Sequence, residues 1–185
     1  LRFGPQMKSI GRQIKKLVRT KDAVVGISAC GVTPFVREAL LEANRRGAKT
    51  ILIACNLRSP LRSHVDVLIA PQVGPEVIAG STRLKAGTAT KLILNRLTVA
   101  SMVQLGKVYE NWMVDLDPRS RKLRARAQRI LQRFTRVRNK KAKQLLKRAK
   151  GRVKVAILMA KKNLSYAEAL RSLEENRGSL RKALE

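Results

Sequence analysis

Three short apolar runs alternate with amphipathic stretches over the first seventy or so residues. Residues 23–28, 49–55 and 65–70 are almost continuous in Ala, Val, Ile and Leu. Runs of that length, with no polar alternation, read as strands of a parallel sheet covered on both faces. Residues 33–46 lie between the first two strands and place apolar positions at helical spacing, with Pro34 at a first helical position and Gly47 as C-cap. The turn Asn56-Leu57-Arg58-Ser59-Pro60 leads into a short helical piece at 61–64, which His64 ends at the surface. Strands alternating with helices predict right-handed parallel crossovers.

Residues 5–20 predict an N-terminal helix with a stripe of Met7, Ile10, Ile14, Leu17 and Val18. Residues 82–105 predict a long helix, with Leu84, Leu92, Leu94, Leu97, Val99, Met102 and Val103 available for burial. A loop at 106–118 carries Tyr109 and Trp112. Helices follow at 119–134, 139–149, 153–162 and 166–176, the last opened by a capping box of Ser165 and Glu168. The division expected is a basic N-terminal helix at 1–22, an α/β body at 23–118 and a helical domain at 119–185.

Charge changes the picture of the ends. Lys and Arg number 41 against 12 Asp and Glu, a net +29. Residues 1–22 carry net +6, residues 23–118 net +4 and residues 119–185 net +19. Between Asp117 and Glu168 there are nineteen basic residues and no acid. A field of this size repels itself and suits a polyanion, nucleic acid before an anionic membrane surface. No run of 18 apolar residues occurs. The start, Leu1-Arg2-Phe3, reads as a processed or trimmed end. Cys30 and Cys55 read as buried free thiols, and with a single His they form no zinc pattern. No cofactor is expected.

Two stretches carry the candidate chemistry. Val24-Val25-Gly26-Ile27-Ser28-Ala29-Cys30-Gly31-Val32-Thr33-Pro34-Phe35 and Gly74-Pro75-Glu76-Val77-Ile78-Ala79-Gly80-Ser81-Thr82-Arg83-Leu84-Lys85-Ala86-Gly87 each put small hydroxyl and glycine residues at the mouth of a helix. Free N–H groups and the positive dipole end there suit a phosphate. Ser28 and Thr33 supply donors at the first mouth, and Ser81, Thr82 and Lys85 at the second.

These stretches, with Leu105-Gly106-Lys107-Val108-Tyr109, Asn111-Trp112-Met113-Val114-Asp115 and the closing Gly178-Ser179-Leu180-Arg181-Lys182-Ala183-Leu184-Glu185, resemble the SIS domain of N-acetylmuramic acid 6-phosphate etherases and, more distantly, the glucokinase regulatory protein. The resemblance runs from about Ala23 to the C-terminus. It implies an α/β fold: a truncated SIS-type parallel sheet of about three strands flanked by helices, then a small helical bundle shaped like a ubiquitin-associated domain. It also implies that the first strands and the two catalytic carboxylates of D-lactyl ether cleavage lie in an N-terminal part that this sequence does not include. Cys30 stands where the family has serine, Val32 where it has arginine, and Leu57-Arg58 replaces a glycine-containing turn. Glu76 is the one acid beside the mouths, either a general acid–base or a support at a helix N-terminus.

With both carboxylates missing, the sequence favours a non-enzymatic RNA-binding protein, a ribosomal and mitochondrial component in an organellar matrix, or else a cytoplasmic one, and not secreted. Its partners would be ribosomal RNA and neighbouring proteins, with the N-terminal helix, a second copy or a larger partner covering the open sheet edge. Phosphate contacts would come from Lys8, Arg12, Lys15, Lys16 and Arg19 on the first helix. On the C-terminal helices they would come from Arg121, Lys122, Arg124, Arg126, Arg129, Arg133, Arg136, Arg138, Lys140, Lys141, Lys143, Lys147, Arg148, Lys150, Arg152 and Lys154. No aromatic-rich strand or recognition-helix motif suggests base reading. Two alternatives stand beside this reading: an etherase completed by carboxylates from another chain, and a sugar-phosphate-binding sensor.

Overall fold

The structure, a computed structural model, describes residues 13–185. Its contacts divide between Asn95 and Arg96. Lys8 and Arg12 lie outside the described residues, as does the first half, 5–12, of the expected N-terminal helix. Residues 13–17 are helical, and Ile14 and Val18 pack with Ala43, Ala48 and Val24.

The first unit is built on three strands, β1 (Ala23–Ile27), β2 (Lys49–Ile53) and β3 (Val67–Ile69), all parallel and in the order β1-β2-β3. Helix α1 (Pro34–Arg45) crosses between β1 and β2. The register pairs Val25 with Ile51 and Ile51 with Val67. Val36 and Leu40 of α1 pack with Leu52, Ala54 and Leu61, against which Val24, Val65 and Leu68 lie. Gly26 lets the helix come this close: a Cβ there would meet Leu40 Cδ1 at 2.6 Å and Val36 Cγ1 at 2.7 Å.

The opposite face corrects the expectation of a sheet covered on both sides: it is covered at Ile53, 1 % exposed, and open elsewhere. Val25 is 39 % exposed, Ile27 44 % and Val67 46 %. Pleating explains which residues these are, because alternate side chains point to opposite faces and the even positions of β1 face α1.

Beyond a single-turn 3-10 helix (Arg62–His64), a long connection leads to α2 (Lys85–Gln104). Of its twenty residues only Ala86 is buried. The expected burial of Leu84, Leu92, Val99, Met102 and Val103 is therefore not found; all five are exposed. Leu92, Val99 and Val103 share one stripe at i, i+7 and i+11, and that stripe faces solvent.

The second unit takes in the rest of α2, a two-stranded antiparallel ribbon of β4 (Val108–Tyr109) and β5 (Trp112–Met113), and helices α3 (Arg121–Thr135), α4 (Asn139–Arg148), α5 (Val153–Lys161), α6 (Tyr166–Glu175) and α7 (Leu180–Leu184). One core joins the ribbon and the helices α3–α7, with Ile130, Leu131, Ile157, Leu158 and Leu180 almost fully buried. Each such side chain contributes about 1.5–3 kcal/mol. The ribbon stands where a loop at 106–118 was expected. It groups with the helices because Tyr109 and Trp112 meet the ring of Phe134 edge-on, at 4.9 and 6.4 Å between centroids. Ser165 and Glu168 form the expected capping box.

Candidate functional site

In a parallel sheet, ligands bind beyond the carboxyl ends of the strands. Here that end carries both candidate mouths. At the first, the Ser28 side chain is buried (5 % exposed). Its Oγ accepts the N–H of Gly31 at 3.0 Å and lies 2.8 Å from Thr33 Oγ1. Gly31 takes φ +74°, and a Cβ there would lie 2.6 Å from Ser59 Cβ and Oγ. Ser59 in turn donates its hydroxyl to the Gly31 carbonyl at 2.6 Å. Asn56 Nδ2 donates to the Cys30 carbonyl at 3.1 Å. The loop is thus tied from both sides, and it delivers Thr33 to the start of α1.

That start has no side-chain cap. Pro34 brings no N–H, and the N–H of Arg37 goes to the Thr33 carbonyl. The N–H groups of Phe35 and Val36 belong to the first turn and have no intrahelical acceptor. Ser28 and Thr33 therefore come together beside an open helix N-terminus, as the spacing suggested. Asn56 and Ser59 escaped the sequence reading; the signal was the Asx turn in which Arg58 N–H reaches Asn56 Oδ1 at 2.9 Å.

The second mouth is arranged differently. Helix α2 starts at Lys85, and Glu76 already sits on its first amides: Oε2 accepts Lys85 N–H at 2.8 Å and Oε1 accepts Ala86 N–H at 3.1 Å. The chain's own carboxylate fills the place a phosphate would take. Of the two roles expected for Glu76, its geometry is the helix support. Ser81 is half-buried in the preceding turn, while Thr82 and Lys85 are exposed.

The two thiols differ. Cys30 is exposed and Cys55 half-buried, so the expectation of two buried thiols fails for Cys30. The Ser28 hydroxyl, then the Val32 N–H, hold the Cys30 thiol below its ordinary value. Burial, then the negative charge of Glu76, push Cys55 up. Among the described residues no cluster of His, Cys, Asp and Glu could hold a metal ion.

The cations expected to contact phosphates are largely exposed on α3 and α4, with one exception. The Lys154 side chain is only 13 % exposed. Its Nζ donates to the Gly178 carbonyl at 3.0 Å and the Gly106 carbonyl at 3.4 Å, and pairs with Asp115 at 3.4 Å. It fastens the second unit internally. Lys150 lies over the Tyr166 ring, 4.9 Å from its centroid.

Comparison with known proteins matches residues 3–100 to the family model of the SIS domain. Etherase 2 for N-acetylmuramic acid 6-phosphate from Vibrio cholerae is 48 % identical over 166 residues, which is 90 % of this chain and 54 % of that protein. The etherases of Geobacillus thermodenitrificans and Clostridium acetobutylicum are each 47 % identical, over 94 % and 96 % of this chain and 59 % of their own length. The chain spans little more than half the length of these relatives and corresponds to their C-terminal portion.

These identities overturn the non-enzymatic, RNA-binding reading, with its ribosomal and mitochondrial setting and its RNA partner. They extend through the basic C-terminal helices and tie the whole stretch to bacterial etherases. The net charge misled because a like-signed surface constrains solubility and nonspecific attraction, not identity. Among the described residues no helix is long and apolar enough to cross a membrane. With more than half its residues under the family model, the chain belongs to the SIS-domain family.

Proposed function

We propose that this chain is the sugar-phosphate-binding portion of an N-acetylmuramic acid 6-phosphate etherase. The observation that supports it best is the open N-terminus of α1, with Ser28 and Thr33 fixed beside it at the carboxyl end of the sheet. Two helix N–H groups and the one O–H left over from the Ser28–Thr33 hydrogen bond form a compact donor set for a phosphate monoester. Identity of 47–48 % to etherases over at least 90 % of the chain supports the substrate class. An enzyme of this kind works where phosphorylated sugars are kept, in the cytoplasm.

Ether cleavage also needs a positioned acid and base. All five acids of residues 1–95 have other places. Glu76 caps α2, Asp66 is bound by Lys49 and Thr50, and Asp22 accepts the Arg19 N–H before β1. Glu38 and Glu42 lie on α1 beside Arg37 and Arg45. Residues 1–95 therefore supply binding, and none of their five acids is placed as a proton-transfer pair.

The test is calorimetric titration of the chain with N-acetylmuramic acid 6-phosphate and with the unphosphorylated sugar. Saturable binding of the phosphate alone, weakened at least tenfold by Thr33→Val, is expected. No heat with the phosphate, or equal heat with both, defeats the reading.

A further inference from the structure

We infer that the slot between α3 and α4 is a docking site for an acidic peptide segment of another protein, one that carries a large apolar side chain or two between its carboxylates. The inference goes beyond the sugar-phosphate reading and does not depend on it, since no residue of the first mouth takes part.

The slot follows from residue spacing. Arg124, Ala127 and Gln128 on α3 stand at i, i+3 and i+4, and so do Lys143, Leu146 and Lys147 on α4, so each trio shares one helix face. The two faces line a cavity of about 340 Å³. Ala127 and Leu146 are buried, belong to the core of the second unit and form the floor. Pro118 and Gly151 close on each other beside it: Gly151 has φ +79°, and a Cβ there would lie 3.0 Å from Pro118 Cγ. An apolar floor inside a polar rim is the layout of an anchor site between proteins.

The rim carries one sign of charge. Arg124, Lys143 and Lys147 are exposed, and neither α3 nor α4 contains an acid to pair them. Arg124 Nη1 donates to the Arg119 carbonyl at 2.7 Å, which holds the guanidinium on the α3 wall. Lys143 and Lys147 stand one turn apart on the α4 wall, a like-charged pair that repels itself until an anion lies across it. Helical spacing brings Arg121 to the same flank of α3 and Lys140 to that of α4. Cations therefore stand on both walls of an apolar recess.

That arrangement selects the occupant. A polymer of phosphates satisfies the rim and leaves the floor wet. A bilayer surface is flat, and the floor is recessed behind the rim cations. A fatty acid fills the floor but brings one carboxylate to cations on two walls. A peptide with acids on both sides of a Phe or Leu meets floor and rim together. Its apolar side chain displaces water from Ala127 and Leu146, and its carboxylates pair with cations on either wall. Ligand pockets span roughly 300–1,000 Å³, so a slot at the lower end of that range takes an anchor and not a whole helix.

The experiment titrates the full chain with the synthetic peptide acetyl-Asp-Glu-Phe-Leu-Asp-Glu-amide, followed by calorimetry and by the methyl signals of Ala127 and Leu146. Saturable binding that shifts both methyls is expected. Ala in place of the peptide's Phe and Leu should weaken binding by about tenfold or more, and Lys in place of its acids should abolish it. Gln128→Phe fills the slot from its wall with no change of charge and should also weaken binding by about tenfold or more. Lys143→Glu combined with Lys147→Glu should do the same. Arg126→Glu combined with Lys141→Glu makes an equal change of charge at exposed positions more than half a turn from the rim, and should alter affinity by less than about threefold. Equal affinity for the Ala peptide, equal losses in the two double variants, or full affinity in Gln128→Phe overturns the proposal. So does a shift of the same methyls by phosphatidylglycerol vesicles or by polyuridylate with none by the peptide.

Discussion

Glu76 and Lys85 stand nine positions apart, and Glu76 Oε2 accepts the Lys85 backbone N–H at 2.8 Å. The second oxygen takes the next amide, of Ala86. One side chain thereby satisfies two of the orphan donors of α2 and places a negative charge at its positive end. Glu76→Ala is expected to cost about 1 kcal/mol. For a protein of this size that is a fall of roughly 2–4 °C in melting temperature. Glu76→Gln keeps an acceptor and loses less. It also removes the charge that raises the Cys55 thiol, so Cys55 should titrate lower in that variant. A melting curve and a thiol titration check both, and an unchanged Cys55 would count against the placement of Glu76.

Lys154 tests which cations of the second unit are structural. Its ammonium holds two carbonyls and Asp115 in a largely buried place. Lys154→Met strands all three partners and is expected to cost about 2–4 kcal/mol. Arg126, exposed on α3, should change to Met within about 0.5 kcal/mol. Urea unfolding of the two variants separates these outcomes. Equal losses would mean that the Lys154 contacts contribute nothing particular.

Gly31→Ala meets two obstacles at once, a positive φ and a Cβ 2.6 Å from Ser59. Gly80 has φ +81° and open space around it. Gly80→Ala therefore carries the backbone penalty alone, about 1–2 kcal/mol. Gly31→Ala is expected to lose more than Gly80→Ala, and to lose sugar-phosphate binding as Thr33 moves away from α1. Stability and titration of the two variants measure the difference.

The parallel strands and their crossover helix were legible from their apolar runs, although those runs also suggested a second covered face that β1 and β3 do not have. Ser165 and Glu168 were legible because a capping box is local chemistry. The exposed stripe of α2 was not. Leu92, Val99 and Val103 look in sequence like any core stripe, and only packing decides whether a partner lies against it. The β4–β5 ribbon was missed because each strand has two residues, too few to show alternation. Ser28 and Thr33 were found through their residue types. The capping role of Glu76 was left open, since nothing between it and Lys85 fixes the turn that brings them together. The charge of the C-terminal helices misled most, because exposed cations on α3 and α4 leave no record in a sequence of what they face.

Asp66 sets the response to acid. Lys49 Nζ, the Thr50 N–H and the Thr50 hydroxyl all donate to its carboxylate, and they hold it well below the usual carboxylate range. A carboxyl with a depressed folded value stabilises above its unfolded value, near 4, and loses that contribution as pH falls toward the folded one. The chain is expected to lose stability between about pH 4 and pH 2. Asp66→Asn should flatten that limb while lowering stability at pH 7. Chemical denaturation across this range reads both effects; a limb as steep in Asp66→Asn as in the parent chain would exclude Asp66 as its source.

The two cysteines give a reading of the first mouth that needs no activity assay. Cys30 is exposed, with its thiol lowered first by the Ser28 hydroxyl and then by the Val32 N–H, while burial and the charge of Glu76 raise Cys55. The thiolate is the nucleophile, so iodoacetamide near pH 7.5 should modify Cys30 well before Cys55. Ser28→Ala removes the largest cause of the lowered value and should move the pH midpoint of Cys30 labelling upward. The Gly31 N–H keeps the Ser28 carbonyl at 2.9 Å as acceptor, so the loss is that of one hydrogen bond, about 0.5–1.5 kcal/mol, and the comparison belongs below the melting point of the variant. A phosphate seated among Ser28, Thr33 and the first amides of α1 competes for the same hydroxyl and covers the thiol. N-acetylmuramic acid 6-phosphate is therefore expected to slow Cys30 labelling in the parent chain and to leave Cys55 unchanged. Mass spectrometry of the labelled peptides follows each site separately. Protection of Cys55 but not Cys30 would place the ligand at the Glu76 end of the sheet instead.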